Sequence, residues 1–140
     1  MISVITIFCD KDVQFLKTYI DAYNKLTFEK ELIFVDNRKK NTEELNLPYK
    51  IVTMKKNLGC AAGRKLGFEN SSGDYIWFND VDDKPLDNLN NIVKKIKKYN
   101  PDFVKFNFTR SNGLNSTSQT GFFDNFNKKE IYNFRSFLWC

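Results

Sequence analysis

Residues 72–83 read S-G-D-Y-I-W-F-N-D-V-D-D. Tyr75 to Phe78 are four bulky apolar residues between a Ser-Gly break and a polar run, the pattern of a strand. The strand runs straight into Asp80, Asp82 and Asp83. Carboxylates this close repel one another unless a cation neutralises them. This stretch therefore predicts both a strand and a charged site at its carboxyl end.

The segments on either side repeat the strand pattern and alternate it with helices. Ile2 to Phe8 is an apolar, β-branched run, and Glu31 to Val35 is another that stops at Asp36-Asn37. Between them Phe15, Leu16, Tyr19, Ile20 and Tyr23 recur at helical spacing over 13–26, with Asp12 placed to cap that helix. Tyr49 to Met54 reads as a third strand, after a polar loop or short helix over 38–46. Asn57-Leu58-Gly59 predicts a turn, Cys60 to Glu69 a helix, and Asn70 to Gly73 its break. Pro85 opens a helix to about Tyr99, and Phe103 to Phe108 is a fifth strand. Beyond it the sequence predicts a polar loop over 110–119, a short strand near 121–126 and a terminal helix from Lys128. Buried strands alternating with amphipathic helices define an α/β fold, a mostly parallel sheet with helices on both faces. The length of 140 residues fits one domain.

Composition narrows the chemistry. The chain has no histidine, which removes Ser-His-Asp triads, Cys-His dyads and His-ligated zinc. Cys9, Cys60 and Cys140 are too few and too scattered for a disulfide framework, and free thiols in a reducing cytoplasm are expected. No apolar run approaches the roughly 20 residues that span a bilayer. The first nine residues lack the features of a secretory signal, so any membrane contact is expected to be peripheral. Net charge is +5, from 22 basic and 17 acidic residues, and lysines outnumber arginines 18 to 4. The densest cluster, Lys94, Lys95, Lys97 and Lys98, shares a helix with Leu89, Ile92, Val93 and Ile96. It reads as a solvated outer face rather than a nucleic-acid patch.

Ligands of parallel α/β sheets bind beyond the carboxyl ends of the strands. Here those ends carry Cys9-Asp10, Asp36-Asn37, Lys56-Asn57 and Asp80 to Asp83. Oxygen ligands without nearby nitrogen or sulfur suit Mg²⁺ or Mn²⁺, and magnesium commonly binds one or two carboxylates plus substrate phosphates. Taken alone, the acidic run is either such a metal–diphosphate site or a polar loop in which Asp83 caps the next helix.

Three motifs in register go further. F-V-D-N (34–37), N-L-G-C-A-A-G-R-K-L-G (57–67) and S-G-D-Y-I-W-F-N-D-V-D-D (72–83) resemble, in order and spacing, the motifs of the family 2 glycosyltransferases over residues 2–99. The resemblance implies the GT-A, Rossmann-like nucleotide-diphospho-sugar transferase fold. It also implies transfer of a sugar from a nucleotide-diphosphate donor, UDP-linked by expectation, to the hydroxyl of a saccharide or lipid-linked acceptor in polysaccharide biosynthesis. By that resemblance Asp80 and Asp82 are the D-x-D acids that hold Mg²⁺ or Mn²⁺ and the donor's ribose–diphosphate. Asp36 and Asn37 stand where an acidic pair reads the base, with Asn37 replacing the second acid. Arg64 matches an arginine near the nucleotide, Asn57 opens the same motif, and the backbone at Cys9 borders the nucleotide. Gly63 and Lys65 depart from the usual Ala and Asn, and Cys9-Asp10 departs from Pro-x-Tyr-Asn.

The family's later part carries an acidic general base, often in a Glu-Asp pair. Asp102, Asp124 and Glu130 follow the acidic motif here, but none matches that pattern, so no catalytic base is assigned. The apolar ending Phe137-Leu138-Trp139-Cys140 suggests a chain cut inside an element, with 1–99 the family-like core and 100–140 the start of an acceptor side. A non-catalytic nucleotide-sugar-binding or interaction module is the alternative. No nucleic-acid partner is expected.

Overall fold

The computed structural model describes residues 1–39, 45–85, 89–105 and 121–123. Contacts group the chain into two units, Met1–Asn90 and Asn91–Cys140.

The first unit is built on four parallel strands. They are β1 (Ile2–Phe8), β2 (Lys30–Asp36), β3 (Lys50–Thr53) and β4 (Tyr75–Phe78), in the order β3-β2-β1-β4. Helix α1 (Val13–Asn24) links β1 to β2, and α2 (Cys60–Glu69) links β3 to β4. Helices cover both faces, as the unbroken apolar runs require. On one face Tyr19 of α1 meets Phe34 edge-on at 6.0 Å, and Tyr23 packs on Trp77 at 5.6 Å. On the other, Ile5, Ile33, Val35 and Met54 form a core closed by Ala62 and Leu66 of α2.

Two glycines set how closely α2 lies on the sheet. A Cβ at Gly67 would overlap Ile5 Cγ2 and sit 3.1 Å from Val35 Cγ2, and one at Gly63 would come within 3.0 Å of Ile7 Cδ1. Gly59, just before the helix, has φ +85°, a conformation open to glycine at little cost.

The sequence-predicted order of elements holds through β4, with smaller departures. Helix α1 starts after a 3-10 turn at Asp10–Asp12. Asp12 sits at the cap position, but its carboxylate turns back to Cys9 and makes no cap bond to α1. Phe78, in an apolar run read as a buried strand, is 38% exposed, because β4 is an edge strand of this sheet among the described residues.

Helix α3 is described from Leu89 to Tyr99, later than the predicted start at Pro85, and residues 86–88 lie outside the described residues. It crosses from the first unit into the second. There β5 (Phe103–Lys105) pairs antiparallel with β6 (Gly121–Phe123). The predicted continuation of β5 to Phe108, the loop over 110–119, Asp124, Glu130, the terminal helix and Cys140 lie outside the described residues.

Candidate nucleotide-sugar site

The chain builds β1, β2 and β3 in one direction, then returns to add β4 on the far side of β1. This reversal is a topological switch point, where the loops beyond two neighbouring strands part and leave a crevice. The register places β4's end, Phe78, opposite Ile5, below β1's own end at Phe8. Asn79 continues the pairing, its N–H donating to Ile5 O at 3.1 Å. The acidic residues therefore follow at the switch point itself.

The ends of β1, β2 and β3 are knitted together. Asn37 N–H donates to Phe8 O at 2.9 Å and Met54 N–H to Asp36 O at 3.0 Å. Lys39 N–H donates to Asp10 at 3.1 Å, joining the loops that follow β2 and β1. Cys9 is held from below: its N–H and its thiol donate to Asp12 Oδ2 at 3.0 and 2.9 Å. Burial, then the Asp12 carboxylate, pushes the Cys9 thiol above its ordinary value, which disfavours the thiolate.

Asp36 and Asn37 are both buried. Sequence reasoning missed the partner of Asp36. Arg38 Nε reaches Oδ1 and Oδ2 at 3.0 and 3.1 Å, its Nη2 reaches Oδ2 at 2.7 Å, and its own N–H donates to Oδ1 at 3.0 Å. Both side chains are almost fully covered, at 8% and 4% exposure. The guanidinium also lies 5.8 Å from the centre of the Phe8 ring. The available signal was a strand-end acid followed two residues later by arginine: a buried carboxylate needs a cation.

Asn57 locks Asn37. Its Nδ2 donates to Asn37 O at 2.9 Å, while its Oδ1 accepts from Gly59 N–H at 3.0 Å and Asn37 Nδ2 at 3.2 Å. These bonds fix both amides. Asn37 Oδ1 is left buried and without a hydrogen-bond partner among the described residues.

The acidic loop differs. Arg64, carried by the close-packed α2, reaches Asp80 Oδ1 at 3.2 Å in a half-exposed pair. Asp83 N–H closes a turn onto Asp80 O at 3.0 Å. Asp82 is exposed and has no ion pair among the described residues. Burial, followed by the charges of Asp82 and Asp80, pushes the Asp83 carboxyl above its ordinary value. The neighbouring like charges add to the effect of burial. Among the described residues no three His, Cys, Asp or Glu side chains converge on a common metal position. A groove of about 420 Å³ opens beside Asp82, with Gln14, Phe15 and Thr18 of α1 on its far wall.

The structure thus gathers Cys9, Asp36, Asn37 and Asn57 at the ends of the first three strands. It pairs Arg64 with Asp80 and leaves Asp82 open.

A family model, glycosyl transferase family 2, matches residues 3–137, and the chain belongs to that family. No curated protein sequence matches the chain. Among solved structures, the fold is similar to Staphylococcus aureus TarS. Its 1–349 fragment gives a TM-score of 0.68 at 19% identity over 84% of this chain, and a longer TarS chain 0.68 at 20%. TarS 1–349 in complex with UDP-GlcNAc gives 0.67 at 19%. The chain spans 38% of the length of the first of these, 23% of the second and 37% of the third.

Proposed function

We propose that this chain is the donor-binding part of a metal-dependent glycosyltransferase that takes a UDP-linked sugar and passes it to a saccharide or lipid-linked hydroxyl at the cytoplasmic side of a membrane. The observation that carries the reading is the under-neutralised acid at Asp82 and Asp83, beside an acid–arginine pair and at a topological switch point. The donor set is all oxygen, and Asp82 is free to bind a cation. Magnesium commonly binds one or two carboxylates and completes its shell with the donor's phosphates and water. Asp82 and Asp80 would hold Mg²⁺ or Mn²⁺. When bound, such an ion offsets charge developing on the leaving diphosphate.

The chain's own residues prepare the site for the nucleotide. Arg64 directs Asp80 and supplies a positive charge near the diphosphate. Asn37, fixed by Asn57, presents its unpaired Oδ1 as an acceptor for an N–H of the base. Asp36 positions rather than reads, because both its oxygens are already held by Arg38. A base must still deprotonate the acceptor hydroxyl, and no described acid sits in that role. Purified chain is therefore expected to bind donor without efficient transfer to simple acceptors.

The test is calorimetry with UDP, with Mn²⁺ and with EDTA, on wild type and Asp82→Asn. Metal should strengthen binding in wild type, and Asp82→Asn should lose about 1–3 kcal/mol of that metal-supported binding. Equal affinity with and without metal in wild type would refute the metal site. Multiple-turnover transfer by this chain, abolished in Asp82→Asn, would show that a base has been overlooked.

A further inference from the structure

From Asn88 to Pro101 the chain has four lysines and no acid. Lys94, Lys95, Lys97 and Lys98 are all exposed on α3, whereas Leu89, Val93 and Ile96 of the same helix are buried. At about 100° per residue, the lysines cover an arc of about 160° centred opposite the buried side. None of the four takes part in a salt bridge with a described residue.

This arrangement costs stability in the free protein. Lys94 meets Lys97 and Lys98 at spacings of three and four, and Lys95 meets Lys98 at three, the positions where like charges repel along a helix. Lys97 and Lys98 lie in the last turn, where they offset the partial negative charge of the helix end. Lys94 and Lys95 lie a turn earlier, beyond most of that benefit. A solvated face would more usually mix both signs. Tyr99 is 58% exposed, with Lys98 Nζ 5.1 Å from its ring centre. It falls about 40° beyond Lys95 at the edge of the arc.

We propose that this lysine face of α3 docks on an anionic lipid surface. Charge complementarity supplies the attraction, and an anionic surface relieves the repulsion among the four ammonium groups. Tyrosine at the edge of a basic face suits the headgroup level, with an apolar ring and a polar tip. Lipid is favoured over nucleic acid because α3 contains no arginine fork and no aromatic residue between the lysines. The inference sharpens the membrane location in the proposed function, but it uses none of the strand-end residues, so its failure would leave the donor-site reading standing.

Sedimentation of the full chain with vesicles tests it. At about 0.1 M salt the chain should bind phosphatidylcholine vesicles containing about 30% phosphatidylserine and not pure phosphatidylcholine, and about 0.5 M salt should release it. Changing Lys94, Lys95, Lys97 and Lys98 together to Gln should weaken binding about 100-fold or more. Circular dichroism should show the fold retained, because Gln forms helix nearly as well as Lys. Changing Lys17, Lys25 and Lys65 to Gln should leave binding within a few-fold of wild type. Absence of binding to the anionic vesicles would overturn the proposal. So would equal loss in the control variant, which would mean net charge alone, or tighter salt-sensitive binding to a random DNA duplex than to the vesicles.

Discussion

Two regions at the carboxyl end of the same sheet treat their carboxylates in opposite ways. Asp36 is buried and saturated by Arg38, and its neighbour Asn37 is pinned by Asn57. The Asn79–Asp83 loop keeps three acids with one half-exposed arginine contact between them. The first region is finished in the free protein. The second sets one arginine contact against three acids, and burial, then the charges of Asp82 and Asp80, raises the Asp83 carboxyl. Under the proposed function, the contrast separates residues that shape the pocket from residues that would bind a ligand.

The sharpest way to break this contrast is to unfinish the finished region. Arg38→Ala leaves the Asp36 charge buried without a partner, and should cost about 3–5 kcal/mol in urea denaturation. A loss under about 1 kcal/mol, the scale of an exposed pair, would mean that Asp36 is solvated after all. Next in size is Gly67→Ala. Its new methyl meets Ile5 Cγ2, so α2 must lift or Ile5 must leave its rotamer, costing about 1–3 kcal/mol. The same variant should weaken the Arg64–Asp80 contact, because α2 carries Arg64. Unchanged stability would contradict the close packing.

The smallest effects are pH-dependent and opposite in sign. Asp83 titrates above 3.8 in the folded protein, which then binds more protons than the unfolded chain. Its charge therefore costs nothing below 3.8, and the full cost is reached only above the folded value. Asp83→Asn should raise the urea midpoint at neutral pH and lose that advantage in acid. Glu31 behaves in reverse. Burial raises its carboxyl, but hydrogen bonds from Ser3 and Ser72 and the charge of Lys50 outweigh burial and hold it below 4.5. Its stabilisation is present above 4.5 and is lost as pH falls through the folded value. Glu31→Gln should lower the neutral midpoint and converge with wild type in acid. Parallel pH profiles for wild type and both variants would remove this assignment.

The sequence revealed strands through unbroken apolar runs and helices through spacing, and both are local signals. Gly59 was legible as a turn for the same reason. The partners of the site residues were not local in that sense. Arg38 lies two residues from Asp36, but its fork depends on how the chain turns beyond β2. Asn57 meets Asn37 only because β3 lies beside β2. Asp12 looked like a helix cap, yet its carboxylate found two donors on Cys9 before it found α1. Phe78 looked like core because its neighbours are apolar, and its exposure follows from β4's edge position. Sequence spacing could place these side chains at strand ends but could not say which were already paired.

The central claim is that the β2–β3 side is preformed whereas the acidic loop requires a cation. Calorimetric titration of uridine and of UDP, each with Mn²⁺ and with EDTA, tests it most directly. Under the proposed function uridine reaches only the preformed side, so its affinity should be the same in both conditions. UDP adds the diphosphate, and metal should strengthen its binding about tenfold or more, the scale of a charge-assisted contact. The same metal dependence for both ligands, or none for either, would contradict the account.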